Sequence, residues 1–360
     1  MSAPDGDQSD DRRVRRDRPF GIEREALTQL ARIDLSPFVQ NGSRQERAQV
    51  ARHLRKTCVD IGFFYLVGHG IPESEFDDLL GWSHRFFELP VEEKMQLHAD
   101  NNSEKLGYVA TGGTTPGADP SLIPDLKERF FLNRELFPGE PQAGRRGAGL
   151  SQWPSDAVLP GFARFMKSHI NKRVVLAQQL ARVLALSLNL DETYFEEMFQ
   201  YPNAAFVLNY YPPPAPGAAR KSQWSFSPHT DYSAFTLLSQ DMLGGLQVRN
   251  AAGDWIDVPP VAGAFVVNIG DLLATWTNDL YASTLHRAMN TGDVARISVP
   301  LFVSPLGTTV VKCLETCCGP NNPPRYEPVT AAAYVRNLLD EANRTGRPGI
   351  GAKTEERLRV

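Results

Sequence analysis

Two textures of apolar spacing divide this 360-residue chain. From Phe162 to Leu190, apolar side chains at 162, 165, 166, 170, 174, 177, 180, 181, 184 and 188 advance by one, three or four positions, which predicts a helix with one buried stripe. Upstream, "SRQERAQVARHLRKTCVDIG" predicts a helix capped by Ser43 and closed at Gly62. "ESEFDDLLGWSHRFFELPVEEKMQL" predicts a helical stretch interrupted at Pro90, whose ring would clash with the preceding turn. "ARIDLSPF" and "FFYLVGHGI" read as short strands, the latter buried.

Beyond Ala204 the texture changes to short apolar runs separated by Gly, Asn, Asp or Pro: "AAFVLNYY", "AFTLLS", "GLQVRN", "WIDVPP", "AFVVNIGDLLATW", "STLHRAMN", "RISVPLFVSP" and "TTVVKCL". About eight strands at nearly regular spacing predict a double-sheet barrel or jelly roll, with "VRNAAGDW" as a hairpin turn. "EPVTAAAYVRNLLDEANR" is helical again, and no repeat of fixed period is visible. Residues 107–150, rich in Gly, Pro and Thr, read as a long loop region of the kind that forms lids. The expected fold is therefore α+β: a jelly-roll core flanked by helices supplied mostly by the N-terminal half. The expected divisions are a disordered tail at 1–25, a helical and mixed region at 26–200, the jelly roll at 201–340 and a polar tail at 341–360.

Charge narrows the partners. A net charge of -4 and a pI near 6.0 give no global attraction to nucleic acid or to anionic membranes, so a small molecule is the expected partner. The opening "MSAPDGDQSDDRRVRRDRPF" lacks the apolar stretch of a secretory signal, and no apolar run approaches the ~20 residues that span a bilayer. Cys58, Cys313, Cys317 and Cys318 are too few and too clustered for a disulfide framework, so a cytoplasmic setting is expected. "CLETCC" lacks the second ligand pair that a structural zinc site needs.

Chemistry enters at "SPHTDYSAFTLLSQ", where His229 and Asp231 stand at the entrance to a predicted strand. A strand sends residues i and i+2 to one face, so the two would point together, and a shared cation would offset the cost of burying them. A third ligand should come from a distant strand of the same barrel. His53, His84, His98 and His169 fall in helical, charge-rich stretches that suggest solvated or capping roles, and His69 suits a turn. His286 in "STLHRAMN" lies in the strand-rich half. Two histidines and a carboxylate are the arrangement associated with non-haem Fe(II) oxygenases, while zinc would more often be held tetrahedrally with one open position. In "RIS", Arg296 and Ser298 again share a strand face. A guanidinium fork and a neighbouring hydroxyl suit a carboxylate; a structural ion pair at a strand end is the alternative.

"PHTDYSAFTLLSQDMLGGLQV", "NIGDLLATWTNDLYASTLHRAMN" and "RISVPLFVSP" resemble the core of the Fe(II)/2-oxoglutarate-dependent dioxygenases, specifically the isopenicillin N synthase-like branch. "DIGFFYLVGHGIP", "FFELPVEEKMQL" and "LNYYPPP" extend the resemblance upstream, over most of residues 32–338. It implies a distorted double-stranded β-helix with Fe(II) at His229, Asp231 and His286. It further implies that Arg296, Ser298 and Tyr211 bind the distal carboxylate of 2-oxoglutarate, that Asn209 lies near the chelated end, and that dioxygen is the oxidant. Phe302 corresponds to a substrate-pocket wall, and Tyr108, Phe131 and Tyr232 are further wall candidates. The implied reaction hydroxylates, desaturates or cyclises a small organic molecule and releases succinate and CO2; the aromatics and Val207 near the site favour a fairly apolar one, with specialised metabolites as the natural class. Val207 departs from the branch, many members of which carry a basic residue there, and Pro214 stands where many have cysteine. An oxidase independent of 2-oxoglutarate, a non-catalytic binding module and a zinc hydrolase are the competing readings.

Overall fold

One strand shows how the fold is assembled. Arg296–Ser304 alternates so that Ile297, Val299, Leu301 and Val303 are fully buried on one face, while Arg296, Ser298, Phe302 and Ser304 occupy the other. The apolar face packs under helices, and the mixed face lines the barrel interior. The protein is described by a computed structural model covering residues 24–112, 125–136, 139, 140, 150–213, 225–290 and 292–345.

The strands of the first half are β1 (Ala31–Asp34), β2 (Phe63–Val67), β3 (Gly107–Val109) and β4 (Glu128–Asn133). Those of the second half are β5 (Asn203–Tyr211), β6 (Phe226–His229), β7 (Phe235–Gln240), β8 (Leu246–Arg249), β9 (Trp255–Asp257), β10 (Phe265–Ile269), β11 (His286–Ala288), β12 (Arg296–Ser304), β13 (Val310–Val311) and β14 (Val329–Thr330). An eight-stranded sheet runs β1-β2-β10-β7-β12-β5-β4-β3, and a four-stranded sheet runs β6-β11-β8-β9. The two face each other as a jelly roll flanked by helices, an α+β architecture.

Helix Phe162–Ser187 covers the outer face of the large sheet through the main core, which includes Phe162, Met166, Ile170, Leu180, Phe206, Leu237, Val267 and Leu301. A smaller cluster, among them Phe63, Tyr65, Leu246, Val248 and Val266, fills the space between the sheets. Helix Arg44–Asp60 begins at the expected cap: the Ser43 hydroxyl accepts from the Glu46 amide at 3.3 Å and the Glu46 carboxylate accepts from the Ser43 amide at 2.7 Å. Pro90 separates helices Glu73–Phe87 and Val91–Gln96, as expected.

Four expectations need correction. Residues 107–150 are not loop throughout: β3 and β4 pair with each other, and β4 pairs with β5. The charges of "KERFFLNRE" mask a period of two, in which Phe130 and Leu132 enter the core and Arg129 and Phe131 face inward. "AFVVNIGDLLATW" is not one strand, because β10 stops at Ile269 and a helix follows at Asp271–Trp276. "TTVVKCL" contributes only the two-residue β13, which pairs with β14 outside both large sheets. His169 is not solvated; it is fully buried, with Nδ1 2.9 Å from a Glu75 carboxylate oxygen.

Most of both expected tails, Pro214, and the parts of the expected lid at 113–124, 137–138 and 141–149 lie outside the described residues. Among the described residues all four cysteines are free, and no helix is long and apolar enough to cross a membrane.

Candidate metal and co-substrate site

His229, Asp231 and His286 converge between the two sheets, with one ligand atom from each lying within 4.8 Å of the others. The mechanism of convergence differs from a shared strand face. His229 is the last residue of β6, and Asp231 lies in the turn before β7. That turn is fixed by the helix that interrupts "AFVVNIGDLLATW": the Asp271 amide donates to the Asp231 carbonyl at 2.7 Å and the Gly270 amide to the Ala234 carbonyl at 2.9 Å. Only glycine fits at 270, since a Cβ there would lie 2.1 Å from the Ser233 carbonyl. His286 opens β11 directly opposite His229 in the ladder.

Each ligand is oriented by a further contact. Nδ1 of His229 lies 2.7 Å from the Ser227 carbonyl, and Nδ1 of His286 lies 3.1 Å from the Thr284 carbonyl. Both rings therefore donate through Nδ1 and turn the Nε2 lone pair inward. Those Nε2 atoms stand 3.8 and 3.7 Å from Oδ1 of Asp231. Oδ2 of Asp231 accepts from the Thr236 hydroxyl at 2.5 Å and from the Asn268 amide at 2.7 Å, which leaves Oδ1 for a cation. Burial, helped by the facing His286, pushes the His229 imidazolium down to about 3, so this ring is neutral at ordinary pH. Burial alone would raise Asp231, but His286, His229 and the two hydrogen bonds outweigh it and hold the carboxyl below its usual range. A neutral imidazole beside a carboxylate is the protonation state a divalent metal requires.

Beside this triad the inner face of the large sheet carries a polar row. Arg296 pairs with Tyr211, and Ser298 pairs with both Asn209 and Gln240. The Arg296 guanidinium is buried; Nε donates to the Gly244 carbonyl at 2.5 Å and Nη2 to the Gln240 side chain at 2.9 Å. Nη1 has no hydrogen-bond partner. The Tyr211 ring lies 5.0 Å from the guanidinium carbon, and its hydroxyl is 3.1 Å from Oγ of Ser298, which Asn209 approaches at 3.5 Å. A buried cationic N–H without an acceptor, flanked by two hydroxyls, fits the distal carboxylate of 2-oxoglutarate.

The four wall candidates separate. Phe302 pairs with Thr236, the donor to Asp231, on the inner face, and Phe131 pairs with Val207 there. Tyr232 follows Asp231 directly. Tyr108 does not belong with them: it packs in the helical core against Phe86, with its hydroxyl 2.6 Å from Glu128, because its strand position faces outward beside Phe130. Sequence reasoning missed Thr236 and Asn268, although a lone polar residue inside "FVVNIG" was the available signal. It also missed Phe226, whose ring stacks on His229 at 3.8 Å, and Asp125, Lys127 and Arg129 on and beside β4.

Comparison with known proteins agrees with this geometry. Residues 30–156 match the family described as non-haem dioxygenase in morphine synthesis N-terminal, and residues 202–305 match the 2OG-Fe(II) oxygenase superfamily. The chain is 34% identical over 316 residues to the 2-oxoglutarate-Fe(II) type oxidoreductase hxnY of Emericella nidulans, covering 86% of this chain and 89% of the relative. It is 34% identical over 304 residues to the homoarginine-6-hydroxylase 2-ODD-C23 of Glycine max, covering 79% and 88%. Among solved structures, a full-length Neurospora crassa protein in complex with alpha-KG superposes with a TM-score of 0.78 at 28% identity, covering 89% of this chain and 100% of that one. The chain thus belongs to the 2-oxoglutarate- and Fe(II)-dependent oxygenases, and its activity is that of a 2-oxoglutarate-dependent dioxygenase.

Proposed function

We propose that His229, Asp231 and His286 hold Fe(II), and that Arg296, Ser298 and Tyr211 hold the distal carboxylate of 2-oxoglutarate, with Asn209 near its chelated end. The observation that carries this reading is the pairing of a buried His-Asp-His triad with a buried arginine whose Nη1 lacks an acceptor. Iron in such a site supplies activation of dioxygen, coupled to conversion of 2-oxoglutarate to succinate and CO2.

The chain's own residues do the rest. The Ser227 and Thr284 carbonyls and the Thr236 and Asn268 side chains keep three ligand atoms aimed at one point, so coordination needs little rearrangement. Arg296 and Ser298 fix the far end of the co-substrate, which holds its 2-oxo acid end toward the triad. Phe131, Val207 and Phe302 present an apolar wall and exclude water from the reacting C–H bond.

The substrate is a small, fairly apolar organic molecule of specialised metabolism, which the enzyme hydroxylates, desaturates or cyclises. Support comes from that wall and from relatives such as the azadirone synthase LFS of Melia azedarach, 32% identical over 294 residues. Solved relatives include complexes with alpha-KG and thymine, and with 2OG, Fe and JA. The enzyme acts in the cytoplasm, without a nucleic-acid or membrane partner.

Anaerobic titration of the apo-protein with Fe(II) and then 2-oxoglutarate tests the site through the weak visible charge-transfer band. The band is expected in the wild type and absent in His286→Ala; a band that persists in His286→Ala overturns the ligand assignment. Succinate formed under air separates this reading from an oxidase that uses no 2-oxoglutarate.

A further inference from the structure

β4 adds a cation to the same inner face that the iron and co-substrate residues do not use. Arg129 lies directly opposite Asn209, and Asn209 opposite Ser298, so the three form one row across adjacent strands and point to one side of the sheet. The Arg129 side chain is half-buried beside the Phe131 ring, 5.0 Å from guanidinium carbon to ring centre. Among the described residues its guanidinium makes no hydrogen bond and no ion pair.

The neighbouring charges are already matched. Lys127, buried just before β4, binds Oδ2 of Asp125 at 3.0 Å and sits over the Phe226 ring, which stacks on His229. Oδ1 of Asp125 is taken by the amide and hydroxyl of Ser227, at 3.0 and 2.5 Å. Glu128 points to the opposite face, where Lys94 and Tyr108 hold it. Arg296 is assigned to the co-substrate. Arg129 is left as a half-buried cation next to the wall of Phe131 and Val207, attracted by the already bonded Asp125 but with no hydrogen-bond acceptor of its own among the described residues. Such a group favours an incoming anion with an apolar body, because the anion supplies a charge-assisted acceptor while its body covers the aromatic ring.

We propose that Arg129 is the anchor for a carboxylate carried by the organic substrate, so the enzyme acts on an apolar acid rather than on a neutral molecule. This rests on the assignment of the iron and 2-oxoglutarate site under the proposed function.

The test is calorimetric binding to enzyme loaded anaerobically with Fe(II) and 2-oxoglutarate, using phenylacetate, cinnamate and octanoate, each against its primary amide. At least one acid is expected to bind about tenfold tighter than its amide in the wild type, from one charge-assisted contact. Arg129→Gln and Arg129→Met are expected to erase that ratio while leaving 2-oxoglutarate affinity unchanged, and Arg129→Lys to keep part of it. The proposal is overturned if no acid surpasses its amide, if the ratio survives both substitutions, if they weaken 2-oxoglutarate instead, or if both variants fail to fold. A missing charge-transfer band in the same wild-type sample counts against the site assignment alone, since the acid-to-amide ratio is read from heat.

Discussion

Two arginines, Arg173 and Arg296, are almost completely buried, and they approach the same pair of strands from opposite sides. Arg173, on helix Phe162–Ser187, reaches the outer face: Nη1 donates to the Val299 carbonyl of β12 at 3.1 Å, and Nη2 donates to the Ser239 hydroxyl of β7. Its guanidinium also lies over Phe206 and Phe265, 5.2 and 4.9 Å from the ring centres. Burial lowers its pKa to about 9, partly opposed by Glu75. Arg296, on the inner face, contacts the Gly244 carbonyl and Gln240, yet its Nη1 stays without an acceptor. Both terminal nitrogens of Arg173 are consumed by the protein, while one of Arg296 is kept for something else. Nε of Arg173 is also buried without a partner, so neither burial nor an unused donor by itself separates the two; the difference is that Arg296 keeps a terminal nitrogen free on the inner face, beside the triad.

Substitution should separate the pair. Arg173→Ala leaves a cavity and two acceptors without donors, and is expected to cost about 3 kcal/mol or more of folding stability in urea denaturation. The fraction that remains folded should bind 2-oxoglutarate normally. Arg296→Met should do the reverse, changing stability by less than about 1 kcal/mol while weakening 2-oxoglutarate by about tenfold to a hundredfold in the anaerobic titration. Equal loss of stability in both variants would erase the distinction between the two arginines. Asn268→Ala tests the inner face more gently: Asp231 keeps Thr236 but loses one orienting donor, so Fe(II) affinity should fall about tenfold with 2-oxoglutarate affinity at saturating iron retained.

What the sequence disclosed follows the same division. The placement of Arg296 on one face with Ser298 was legible because "RIS" offers a cation and a hydroxyl at strand spacing, after a histidine and an aspartate that already asked for a metal. Arg173 was not, because within "HINKRVV" it resembles one more charge on a helix's wet side, and only the tertiary packing of Phe206 and Phe265 encloses it. The helices and most strands came through because apolar period is local information. β3 and β4 did not, since their strand character depends on pairing with β5 across many intervening residues. The triad was named correctly as a cluster, but a period of two was the wrong reason: a turn pinned by Gly270 and Asp271 brings Asp231 to His229. Tyr108 was misplaced because the face of a three-residue strand cannot be read without its partners.

The outer layer holds a buried histidine as well, and it gives the smallest effect. His169 is buried between Phe165 and Phe206, with Nδ1 against Glu75 and Nε2 without a partner. Burial, reinforced by Arg173 and Lys172, holds its pKa well below the usual value, so the folded ring is neutral. His69 is lowered as well, first by burial. In the unfolded chain both rings take up protons near pH ~6.5, the ordinary value for histidine. Below that pH the unfolded state binds more protons than the folded state, so stability falls as the solution is acidified; above it these groups contribute no slope. One histidine can add at most about 1.4 kcal/mol per pH unit to that slope. Denaturation of metal-free wild type and His169→Gln across pH ~7 to ~5, a range chosen about the ordinary histidine value, isolates the contribution because other titrating groups are common to both proteins. The variant is expected to show the shallower acid loss, and an unchanged slope would mean that the outer-layer histidine is charged in the fold after all.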